Sequence, residues 1–178
     1  MTSEPAVVGV GNILWRDEGV GVLAAHYLRD NYFFDPPVQV IDGAMLGFAL
    51  IDLFTDGARL LVLDALLTDA APGTVFRLPG HELLDLGPDM VPTAHEVDPI
   101  HQFKQADMLG VDMDMSMVAI VPQDASQMGL GLTPELREAF PAYIEAALAE
   151  LDSWGITATR SAGADVDAVL DSLVEGVR

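Results

Sequence analysis

The chain has no cysteine among its 178 residues. That excludes a disulfide framework, a thiolate metal site and a cysteine nucleophile together. Positive charge is scarce as well: 8 Lys and Arg stand against 28 Asp and Glu, a net charge of −20. A nucleic-acid binder needs a basic stripe to displace counterions, and docking on anionic membranes needs basic clusters, so neither partner is expected. No run approaches the roughly 18 apolar residues of a membrane-spanning helix. The stretch from Met1 to Asn12 has no basic n-region and its apolar run ends in a glycine turn, so it does not read as a signal peptide. A cytoplasmic protein is the expectation. Three catalytic outfits are missing too: the Gly-x-Ser-x-Gly elbow, the His-Glu-x-x-His zinc helix and the phosphate-binding P-loop.

What is present suffices for one domain with a sizeable core over 1–178, since 51% of the residues are hydrophobic. Short apolar runs predict strands at Ala6–Val10, Val38–Ile41, Arg59–Leu63, Thr74–Leu78 and Met115–Val121, the fourth antiparallel and at an edge. Helical spacing predicts helices from Asp17-Glu18 to about Asn31, over Met45–Phe54 and over Pro99–Leu109. A last long helix runs to Gly155, with Thr133 as N-cap and Pro134 at its first position. Residues 80–98 read as loop. The tail, 158–178, carries no motif; Asp165–Val177 forms a weak amphipathic helix or a disordered end. Strands alternating with helices predict an α/β fold: a mostly parallel sheet covered on both faces, a three-layer αβα sandwich. Right-handed crossovers then bring the strands' carboxyl ends to one edge, where such folds bind ligands. Glu18, Asp42 and Asp64 fall at that edge.

Val8-Gly9-Val10-Gly11 opens like a dinucleotide fingerprint, but Leu14 stands where the third glycine belongs. Asp17 and Glu18 occupy the helix start and would repel a pyrophosphate. The plain reading of Gly9 and Gly11 is a tight strand-to-helix turn. Of the histidines, His26 lies inside a helix as a surface or half-buried residue and His81 sits in a solvated loop. His95 and His101 share one stretch, and either is a candidate. Two carboxylates, Glu18 and Asp64, with one of these imidazoles would suit Ni2+, Zn2+ or Fe2+ and leave coordination positions open.

The block Gly9-Val-Gly-Asn-Ile-Leu-Trp-Arg-Asp-Glu-Gly-Val-Gly21 closely resembles the N-terminal signature of the nickel–iron hydrogenase maturation endopeptidases. The resemblance continues through Ile41-Asp42-Gly43, Leu63-Asp64-Ala65, Pro99-Ile-His101-Gln102 with Ala106-Asp107, Val121-Pro122 and Gly129-Leu-Gly-Leu-Thr-Pro134. It spans about residues 6–155. It implies a largely parallel sheet of about five strands between helices, and a metal-assisted endopeptidase with Glu18, Asp64 and His101 as metal ligands. His101 is preferred over His95 because the His-Gln-x-x-x-Ala-Asp pattern follows it. The implied substrate is the precursor of the hydrogenase large subunit, which loses a C-terminal extension once Ni2+ is in place, the nickel arriving with that substrate. Asp42 would orient substrate or the attacking water. One departure is plain: Asp42-Gly43-Ala44-Met45 replaces the family's Asp-Gly-Gly-Thr. The alternatives are a nucleotide- or flavin-binding module of similar topology and a non-catalytic chaperone that reads nickel.

Overall fold

The computed structural model describes residues 4–44, 51–85, 91–92, 99–161 and 163–176. In chain order its elements are β1 (Ala6–Gly9), a 3-10 turn (Arg16–Gly19), α1 (Val20–Asn31), β2 (Tyr32–Asp35) and β3 (Gln39–Asp42). There follow β4 (Arg59–Leu67), β5 (Val75–Pro79), α2 (Gly80–Asp85), β6 (Val91–Pro92) and α3 (Pro99–Met108). The chain closes with β7 (Asp114–Ile120), α4 (Pro134–Ser153), β8 (Thr157–Arg160) and α5 (Val166–Gly176). Five strands form the main sheet in the order β3-β1-β4-β7-β5; the first four run parallel, and β5 is antiparallel at the edge.

The central strand β4 reads Leu-Leu-Val-Leu-Asp-Ala-Leu because both of its faces are covered, as parallel sheets require. Leu61, Leu63 and Ala65 pack with Val7, Val118 and Ile120 under α1 and α4. Leu60, Val62 and Leu66 face the other way, with Met115, Met117 and Ala119, under Leu83 of α2 and Ile100, Phe103 and Ala106 of α3. The predicted three layers are therefore present. No helix among the described residues is long and apolar enough to cross a membrane.

Two expectations are corrected, one unforeseen sheet is present and one open alternative is decided. The third strand does not end at Asp64: its ladder with β7 continues to Ala65, and Leu66 and Leu67 then pair with β6. Asp64 is thus an interruption inside a buried strand, where the apolar run alone suggested an end. Residues 80–98 are not all loop, since Gly80–Asp85 is helical and anchored by the fully buried Leu83. A second, two-stranded sheet pairs β2 with β8, and four-residue strands are too short to announce themselves by alternation. Of the two forms expected for the tail, the amphipathic helix is present: α5 spans Val166–Gly176 and packs on α1 with Val169 buried. The helix expected over Met45–Phe54 falls mainly outside the described residues.

Candidate active site

The geometry of the site begins at the exit of β1. Gly11 turns the chain with φ +129°, and a Cβ there would lie 1.9 Å from the carbonyl oxygen of Glu18. Gly21, at the start of α1, lets that helix settle on the strand ends: a Cβ would lie 2.1 Å from the Leu63 oxygen and 2.4 Å from the Val10 oxygen. The glycine turn is filled by the protein's own backbone, so it offers no cradle to a phosphate. Gly9 and Gly11 serve the close packing expected of them.

This packing places Glu18 and Asp64 at the same exit. The Val10 N–H donates to the Leu63 oxygen at 2.8 Å, one residue before Asp64, and the 3-10 turn that carries Glu18 packs on β4. Both side chains are buried: Glu18 is 7% exposed and Asp64 0%. Strand alternation turns Asp64 to the side of Val62 and Leu66, the side of α2 and α3. Its Oδ1 accepts the Ala65 N–H at 2.7 Å. Beneath it, the hydroxyl of Tyr143 donates to the carbonyl oxygens of Asp64 and Val118, both at 3.2 Å. Burial, and then the Asp64 charge, push the Tyr143 phenol well above its ordinary range, so it stays a donor.

His101 is on α3, above the same face as Asp64, with an exposed side chain whose Nε2 lies 2.9 Å from Nε2 of Gln105. The structure brings Glu18 and Asp64 to one edge but does not gather His101 with them into a ready metal site. Among the described residues no three of His, Asp and Glu are placed to hold an ion. His95 lies outside the described residues. His81 is exposed, as expected, though it sits in α2 rather than in a loop.

Asp42 is placed differently. It is in register with Gly9 at the end of β3, facing α1, the side of the sheet opposite to Asp64. Its Oδ2 pairs with Nε2 of His26 at 2.8 Å and its Oδ1 accepts the Ala44 N–H at 3.0 Å. The bond from His26 is the main cause holding the Asp42 carboxyl below its usual range. His26 is 8% exposed, so the surface reading of it was too generous. The signal was available: it stands three and four residues beyond the buried Leu23 and Val22, on the inner face of α1.

By local sequence alone Asp17 is only a helix-start acid. It is fully buried and takes four hydrogen bonds: from Thr133 N at 2.7 Å, Thr133 Oγ1 at 2.9 Å, Gln123 N at 3.0 Å and Asp124 N at 2.9 Å. It thereby ties the turn before Glu18 to the loop that follows β7. A bridge between Trp15 and Gly129 runs alongside, with Arg16 N donating to the Gly129 oxygen and Gly129 N to the Leu14 oxygen. Arg16 holds φ +50°, a strained value for a side-chain-bearing residue, at this junction.

Comparison with known proteins agrees with this architecture. The sequence profile of the hydrogenase maturation proteases matches residues 22–150. The hydrogenase expression/formation protein HupD of Rhizobium leguminosarum bv. viciae is 32% identical over 167 residues, 93% of this chain and 83% of its own. The hydrogenase 2 maturation protease of Escherichia coli is 29% identical over 160 residues, 85% of this chain and 93% of its own. The structure of the hydrogenase maturating endopeptidase HybD from E. coli superposes with a TM-score of 0.73 at 26% identity, covering 89% of this chain and 98% of that one. With its sheet order, its buried edge carboxylates and these relatives, the chain belongs to the hydrogenase maturation protease family, a family of endopeptidases.

Proposed function

We propose that this chain removes the C-terminal extension of a nickel–iron hydrogenase large-subunit precursor after nickel insertion. The observation that carries the reading is the pair of buried carboxylates, Glu18 and Asp64, at one exit of the sheet. Like charges at one edge are relieved by a cation, and carboxylate and imidazole donors suit a borderline divalent ion. Nickel is treated as part of the substrate. The precursor would bring the ion on its own thiolates. The lack of cysteine fits this division of labour, because thiolates here would compete for the ion. In the docked complex Glu18 and Asp64 would form the acidic wall against which the loaded segment sits. His101 would approach it from α3. Water adds across the scissile peptide bond, and the amine leaves with a proton.

Intact-mass spectrometry of nickel-loaded and nickel-free precursor, each mixed with the chain, tests the proposal. Loss of one discrete C-terminal peptide from the loaded sample alone is expected. Glu18→Gln, Asp64→Asn and His101→Ala should each slow that loss at least ~100-fold, the scale of losing one catalytic group. Binding without cleavage would instead indicate a nickel-reading chaperone. Full cleavage by all three variants would remove these residues from the mechanism.

A further inference from the structure

His26 is an unusual residue for its place. It lies on the inner face of α1, 8% exposed, and its Nδ1 is buried with no hydrogen-bond partner among the described residues. An apolar side chain would fill that position without desolvating a ring nitrogen. What the imidazole does there is hold Asp42: Nε2 lies 2.8 Å from Oδ2, while Ala44 N occupies Oδ1 at 3.0 Å. The carboxylate is fixed from two directions, yet its side chain remains 31% exposed. A carboxylate has about four acceptor sites, so these two bonds leave it able to accept from a ligand.

Its place in the sheet sets what it can reach. Asp42 and Leu63 are both in register with Gly9, so Asp42 lies two strands from the residue preceding Asp64. At about 4.8 Å per strand that is about 10 Å along the carboxyl edge, or roughly three residues of extended peptide. The two carboxylates also turn to opposite faces of the sheet, so they do not serve one reacting atom.

Resting on the function proposed above, we infer that His26 is a positioning residue. It locks Asp42 as an acceptor for an N–H-donating side chain, neutral or cationic, of the precursor about three residues from the bond that is cut. The pair therefore governs which precursor binds, rather than how fast a bound one is cleaved.

The test measures both binding and cleavage of the nickel-loaded precursor, at a temperature where circular dichroism shows each variant folded. His26→Leu keeps the volume and removes the donor; His26→Gln keeps an N–H donor without an imidazole. His26→Leu should weaken Kd and raise KM by ~10-fold with kcat within twofold, the pattern of a lost uniform binding contact. His26→Gln should recover most of the affinity, and Asp42→Asn should match His26→Leu. Precursor alanine variants two to four residues from the cut should include one for which His26→Leu has no further effect. Unchanged Kd and KM in His26→Leu would overturn the inference, as would a fall in kcat at constant KM or a failure of His26→Gln to rescue. If the wild type binds the precursor but does not cut it, the proposed function fails while Kd still decides the role of His26. If the wild type does not bind it, both fall.

Discussion

Replacing Asp17 by alanine should be the most damaging single polar change in this protein. The side chain accepts four hydrogen bonds, three of them from backbone N–H groups of Gln123, Asp124 and Thr133. Each hydrogen bond to a charged group is worth ~1.5–3 kcal/mol, a nominal sum of roughly 6–12 kcal/mol. Bonds to one acceptor do not add, and water entering the space would satisfy some of the donors. Breaking a buried charged network at one partner typically costs about 3–5 kcal/mol, and that is the loss expected. For a chain of this length it corresponds to a drop in Tm of roughly 6–20 °C. Asp17→Asn keeps one acceptor but turns an NH2 toward N–H donors, so at least half the loss should remain. Asp171→Asn, an exposed change that also removes one negative charge, should stay within ~0.5 kcal/mol of wild type. Thermal melts of the three variants give the magnitudes, and amide exchange at Gln123, Asp124 and Thr133 locates the effect. A Tm for Asp17→Ala within 2 °C of wild type, estimated against the same scale, would refute the reasoning.

Three further outcomes follow from the packing. Gly21→Ala places a methyl against two backbone oxygens at 2.1 and 2.4 Å, so a loss at the upper end of the ~1–3 kcal/mol of overpacking, or failure to yield folded protein, is expected in denaturant titration. Tyr143→Phe should lose about 1–2 kcal/mol from its two carbonyl contacts. Because burial raises the Tyr143 pKa in the folded state, its contribution is intact below the ordinary tyrosine range near pH ~10 and is lost as pH rises beyond it. The variant should therefore show a shallower alkaline fall in stability than wild type. Asp42 works in the opposite sense: its folded pKa is lowered, chiefly by the His26 bond, so its contribution is present above the ordinary carboxylate range and lost as pH falls through it. Asp42→Asn should flatten that part of an acid-unfolding profile.

The layers of the fold were legible because they rest on long, one-sided patterns. The buried strands are nearly continuous apolar runs, and the Thr133-Pro134 start of α4 is local chemistry. The edge carboxylates were legible for two local reasons: Glu18 stands at a helix start and Asp64 directly follows an apolar run. What escaped was set by distant partners. Asp17 finds its donors 106 to 116 residues away, and no local spacing announces that. The His26 and Asp42 pair joins a helix to a strand 16 residues on, with both residue types common on surfaces. The strands β2 and β8 pair across about 125 residues of chain, from Tyr32 with Arg160 to Asp35 with Thr157, information that four residues cannot carry.

The bond from Thr133 to Asp17 joins residues 116 apart, with β3, β4 and β7 in the chain between them. Contacts of such span are slow to close, and they reward the chain only near the end of assembly. The turn that carries Glu18 therefore gains these bonds only where the segment beyond β7 is docked on it. A chain cut short before Gln123 would lack all four donors that hold this turn in place.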